Sequence, residues 1–144
     1  MLIAALLFFV SIQKTSSAQL LEEQSQILQT CIDLTELQQY FPKMEDDSDQ
    51  KLHILNFPVE FSGSLNVSKF NQPVFFCSRE EIRNANPDAF IAFTVFDVSD
   101  ETASIEFEIT YDRLTETSGF LKGNLSLVKE SGTWVKSNLS LNNL

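Results

Sequence analysis

ASIEFEITYD at 103–112, followed by GFLKGNLSLVKESGTWVKSNLSL at 119–141, decides the fold class of this chain. In the first segment Ala103, Ile105, Phe107, Ile109 and Tyr111 share one side, and Ser104, Glu106, Glu108, Thr110 and Asp112 the other. A period of two with one polar side predicts an antiparallel strand packed on one face. The next strand turns Leu121, Gly123, Leu125 and Leu127 inward, with Lys122, Asn124 and Ser126 outward. In the last, Val135, Leu139 and Leu141 read as inward, and Trp134, Lys136 and Asn138 as outward. A two-residue Ser131-Gly132 turn would set Leu127 against Lys136. A three-residue Glu130-Ser131-Gly132 loop sets Leu127 against Val135 and Val128 against Trp134, so face matching favours the longer loop with Gly132 left-handed. That register puts Asn124 beside Asn138 on the solvent face. It also leaves Trp134 and Val128 as an exposed patch, a candidate partner surface.

Outward from this core, the beginning of the chain is of a different kind. Leu2 to Ile12 is apolar and Ser16-Ser17-Ala18 offers small residues for cleavage, so residues 1–18 read as a signal peptide. The expectation is a secreted or periplasmic protein with one α+β domain, 19–144, and no transmembrane segment in the mature chain. The net charge is −10, and losing Lys14 with the leader deepens it to −11. Such a chain is repelled by nucleic acid, which removes that class of partner.

Gln19 to Phe41 carries Leu20, Ile27, Cys31, Leu34 and Phe41 at helical spacing and ends at Pro42. It predicts one long amphipathic helix laid on the sheet. Glu45-Asp46-Asp47-Ser48-Asp49 lacks the spacing of a calcium loop and reads as solvated acid. His53 to Phe61 suggests short strands broken at Pro58, and Pro73 to Phe76 another, a candidate unpaired edge through which a dimer would form. Ser78-Arg79-Glu80-Glu81 fits a capping box, Asn86-Pro87-Asp88 a break, and Ala89 to Val98 a strand covered on both sides. Three sequons, at Asn66, Asn124 and Asn138, matter only in a eukaryotic source.

Little here can carry chemistry. The single histidine, His53, and the two cysteines, Cys31 and Cys77, lack zinc-site spacing, and no nucleophile elbow, phosphate loop or H-E-x-x-H occurs. No metal and no cofactor is expected. A Cys31–Cys77 disulfide would stabilise the fold by roughly 4 kcal/mol; two separate buried thiols are the other reading. A Cys31–His53 nucleophile pair has no local support. Glu106 and Glu108 read as a solvent-facing pair with no catalytic role. Eleven phenylalanines follow the leader. Most belong in a core, while some, with Phe57, Phe93, Tyr111 and His53 as candidates, would line an apolar pocket between helix and sheet.

Ala103-x-Ile105-x-Phe107 and Gly123-x-Leu125-x-Leu127-x-Lys129-x-x-Gly132-x-Trp134, preceded by the Gln19–Phe41 helix, resemble the NTF2-like (cystatin-like fold) superfamily. The resemblance implies a curved antiparallel sheet of about four to six strands wrapped on the helix, with a pocket between them. It also implies a choice among isomerases, dehydratases and non-catalytic modules, since fold does not fix function. Enzymatic members place an acid–base group in the pocket, for which His53 and Tyr111 are the candidates here. Cystatin-type inhibition is disfavoured: Gln72-Pro73-Val74 lacks the glycine of the inhibitory loop, and Gly132-Thr133-Trp134 is not a Pro-Trp wedge. The first reading is a non-enzymatic domain binding an apolar small molecule or a protein partner. The second is a pocket enzyme.

Overall fold

The computed structural model describes residues 17–42 and 50–144. The signal-peptide segment, but for its last two residues, and the acidic stretch 45–49 lie outside the described residues. The elements are α1 (Ser17–Ile32), a 3₁₀ helix (Thr35–Tyr40), β1 (His53–Leu55), β2 (Ser68–Lys69), β3 (Gln72–Pro73), β4 (Phe75–Cys77), α2 (Arg79–Ala85), β5 (Phe90–Val98), β6 (Thr102–Tyr111), β7 (Gly119–Glu130) and β8 (Thr133–Asn143). Six strands form one sheet in the order β4-β1-β5-β6-β7-β8, and β2 and β3 form a small hairpin of their own. The class is α+β.

The four long strands are antiparallel neighbours in chain order, as the alternation demands. Ile91, Phe93, Ile105, Phe107, Ile109, Leu121, Leu125 and Leu127 face inward and join Ile27, Leu28, Cys31, Ile32 and Leu37 in the main core. Gly123, set opposite Phe107, has no room for a side chain: a Cβ there would stand 2.2 Å from the Phe107 ring.

Several expectations are corrected. The sheet is mixed, because β1 pairs parallel to both β4 and β5. The chain reaches β5 from β4 through α2, whose Ser78–Glu81 capping box forms as expected and whose end is set by left-handed Asn86. The leading helix is also shorter than the periodicity implied. It stops at Ile32 because Leu34 is extended (φ −56°, ψ 129°) and the Gln38 amide donates to the carbonyls of Ile32 and Leu34. Helix-end carbonyls need such donors.

The closing hairpin differs most. Glu130 pairs with Thr133 across a two-residue turn in which Ser131 (φ 50°) and Gly132 (φ 81°) are both left-handed. That is the turn whose twist matches the flanking strands. Leu127 therefore lies opposite Lys136 and Lys129 opposite Trp134, which turns Trp134 inward. A bulge between these pairs and Ser126–Asn138 inserts Ser137 and resets the alternation, so Leu139 and Leu141 face inward as well. Asn124 and Asn138 are consequently diagonal, paired with Ser140 and Ser126 respectively. Inward residence suits this tip: Lys129 reaches Glu23 of α1 (3.0 Å) and Lys136 reaches Glu36 of the 3₁₀ helix (2.6 Å).

Candidate functional site

The expected apolar pocket is occupied by the core itself. Phe61, Phe93, Phe96 and Phe107 stack edge-to-face or tilted at centroid separations of 5.1–6.3 Å, and Phe93 and Phe107 are wholly buried. Such contacts fill volume with favourable geometry. The four candidate pocket residues are not brought together. Phe93 is inside this cluster. Phe57 is half exposed beyond β1, beneath the Arg79 guanidinium at 4.4 Å. Tyr111 lies at the end of β6 against Tyr40 (4.9 Å), its hydroxyl donating to Asn143 Oδ1 at 3.2 Å.

His53 is on the opposite, outer face of the sheet, edge-on to Phe75 with its Nδ1 3.0 Å from the Lys51 carbonyl. Partial burial lowers its pKa, against the pull of that carbonyl. The sheet also separates the cysteines. Cys31 belongs to the inner core. Cys77 is outward, buried beside β1 and α2, because its neighbour Phe76 is the residue that packs against the core. Both are free thiols, so the disulfide reading is not realised. Burial raises both pKa values, that of Cys77 to about 12 with Glu81 assisting, and buried neutral thiols are poor nucleophiles. Among the described residues no group of three or more His, Cys, Asp or Glu could hold a metal ion. No helix there is long and apolar enough to cross a membrane.

A different feature emerges where three segments converge. One flank of α1, the Ser64–Asn66 loop and the β7–β8 turn enclose a groove of about 700 Å³. Its walls are held by polar bridges. Ser25 Oγ accepts the Asn66 N–H at 3.0 Å. The Gln29 amide accepts the Ser68 N–H (3.0 Å) and donates to the Ser68 carbonyl (2.9 Å), so α1 grips the start of β2 as a strand would. Beyond these, Gln26, Asn66 and Thr133 bring amides and a hydroxyl to the groove, and Glu22 is the one charged residue among the described residues that line it.

Trp134 closes one side of this groove. It is 4% exposed, with the Lys129 ammonium 5.7 Å from its ring centroid. Its indole N–H is buried without an acceptor among the described residues. A buried donor left unpaired costs about 1–3 kcal/mol, so such a group is an exception that calls for a partner. The exposed Trp134–Val128 patch is thus replaced. Trp134 is interior, and Val128, half-buried on the outer face, lies opposite Val135 instead. The signal in the sequence was a lone tryptophan two residues after a glycine turn. Its direction depended on the turn length.

Comparison with protein-family models, with curated proteins and with solved structures returns no match for this chain.

Proposed function

We propose that this protein is a non-enzymatic binding domain whose recognition site is the groove between α1 and the β7–β8 turn. The amide- and hydroxyl-rich lining of this groove, walled on one side by Trp134, carries the reading. The lining narrows the class: amides and hydroxyls offer both donors and acceptors, none of the described residues that line the groove is a cation, and Glu22 opposes anions. A neutral ligand rich in hydroxyl or carbonyl oxygens fits, and the volume falls in the range of small-molecule sites. This moves the binding site from the apolar interior to a polar surface groove. Export to the periplasm or exterior, supported by the apolar leader, and an NTF2-like packing, supported by the leading helix and the long antiparallel strands, belong to the same proposal. Neither His53 nor Tyr111, the acid–base candidates, lines the groove.

Trp134 is the only tryptophan, so intrinsic emission reports on the groove directly. Titration with neutral saccharides and small amides should shift that emission, and Gln26→Ala should weaken the response. A ligand that binds while leaving Trp134 emission unchanged, with its amide-shift footprint away from α1 and the β7–β8 turn, would refute the assignment.

A further inference from the structure

We infer that the ligand of this groove is a linear, neutral oligosaccharide that runs on from the groove across the β2–β3 hairpin; the inference rests on the binding reading above. A second cavity, of about 430 Å³, adjoins the groove, and Ser64 and Asn66 line both. Ser68, Asn71 and Gln72 supply the rest of its polar lining. The hairpin places Asn71 there by a tight turn in which Phe70 and Asn71 are both left-handed (φ 56° and 59°). With about 700 Å³ in the groove itself, the joint trough exceeds the range of about 300–1,000 Å³ usual for one drug-sized ligand. A chain of repeating units fills such a trough; a single small molecule does not.

The chemistry of the walls names the units. The chain carries −10, yet Glu22 is the one charged residue among the described residues that line either cavity. A polyanion meets no cation there, and a polycation meets a single carboxylate. Carboxamides and hydroxyls each donate and accept, as do the hydroxyls that recur along a sugar chain. Glu22 accepts from such hydroxyls without a cationic partner.

An uncharged peptide is the nearest rival, and it would need an open strand edge or sockets for apolar side chains. Neither is present among the described residues that line the trough. The Gln29 amide engages both main-chain groups of Ser68 (3.0 and 2.9 Å), which closes the edge of β2. Pro73, paired with Ser68 across the hairpin, has no N–H to give. Leu21, Leu65 and Val67, the aliphatic side chains nearest a ligand, are already packed in or against the core.

Unbranched neutral oligomers of glucose, mannose and N-acetylglucosamine, from one unit to five, are the probes, read by Trp134 emission and backbone amide shifts. A tetrasaccharide should bind at least tenfold tighter than its monosaccharide, with shifts reaching from Thr133 through Asn66 to Gln72. Gln72→Ala should weaken the tetrasaccharide at least fivefold and leave the monosaccharide response at Trp134 unchanged. Near-UV dichroism identifies folded variants; if Gln72→Ala misfolds, Asn71→Gly decides, since glycine keeps the left-handed turn and removes the amide. Affinity that does not grow with chain length, or growth indifferent to these variants, overturns the inference while the groove reading stands. So does a response to small amides with none to any sugar. A charged oligosaccharide or an uncharged pentapeptide that outbinds the neutral series overturns it too. Silence from every one of these probes overturns both readings together.

Discussion

Replacing Gly123 by alanine tests the inner face of the sheet through the sign of a small effect. In an unobstructed strand interior, alanine should stabilise relative to glycine by about 0.5–1 kcal/mol, because glycine loses more conformational freedom on folding. Here the added Cβ would stand 2.2, 2.5 and 2.7 Å from three atoms of the Phe107 ring, where ordinary contact is 3.4–4 Å. The ring must move by roughly an ångström, and it has nowhere to go. Phe107 is wholly buried, with Phe93 beside it at 6.3 Å. Overpacking of this kind costs about 1–3 kcal/mol. A net loss of about 2 kcal/mol is expected, which for a domain of this size lowers Tm by roughly 6–10 °C. Urea unfolding of Gly123→Ala, of Phe107→Leu and of the double variant supplies the measurement. The smaller side chain should relieve the clash, so the alanine should cost at least 1 kcal/mol less in the leucine background. An alanine variant as stable as the parent, or an additive cycle, would refute the register that sets Gly123 against Phe107.

Other outcomes follow from single residues. Gly132→Ala, at φ 81°, should lose about 1 kcal/mol, whereas Ser131→Asn, at φ 50° in the same turn, should be neutral or stabilising by a few tenths. Differential scanning of Ser131→Asn decides between the two-residue turn and a longer loop, since Gly132 is left-handed in either. Ser78→Ala removes the hydroxyl that accepts the Glu81 N–H at 3.1 Å and should cost about 1 kcal/mol in urea unfolding. A thiol reagent should leave both cysteines untouched in the native protein and titrate both in denaturant, and a native mass two hydrogens light would contradict this. His53 has a folded pKa below its ordinary 6.5, so the unfolded chain binds more protons just below that value. Its contribution is complete above pH 6.5 and declines as pH falls through the folded pKa. The stability difference between the parent and His53→Gln should shrink across that window, and a constant difference would refute the assignment.

Most of the sheet was legible because its code is local. The alternation from Ala103 to Asp112 and from Leu121 to Leu127 names the buried face of β6 and β7 without reference to a partner. The same holds for the capping box at Ser78, whose two hydrogen bonds lie within four residues. The groove was not legible. Its walls come from α1, the Ser64–Asn66 loop and the β7–β8 turn, segments that carry no common pattern. The apolar pocket was misplaced for the converse reason: Phe93 and Phe57 look alike in sequence, yet one is enclosed by three rings and the other stands half exposed under Arg79.

The sequence by itself determined the α+β class, the long antiparallel strands, the second helix and the buried stripe of the first apart from Leu20, which is exposed, because propensity, period and capping act over a few residues. Tertiary structure decided the rest. β1 and β4 are too short to specify their partners, and their parallel pairing is set by the α2 crossover. The cysteines were assigned to opposite sides of the sheet by the parity of β4. The closing hairpin turned on a choice no local pattern records: a tight turn with a bulge buries Trp134 and pairs Lys129 and Lys136 with acids on the helices, while a longer loop would have kept every face matched and left the largest apolar side chain in water. Burial of that indole, with its N–H still seeking an acceptor, is what created the groove's most distinctive wall.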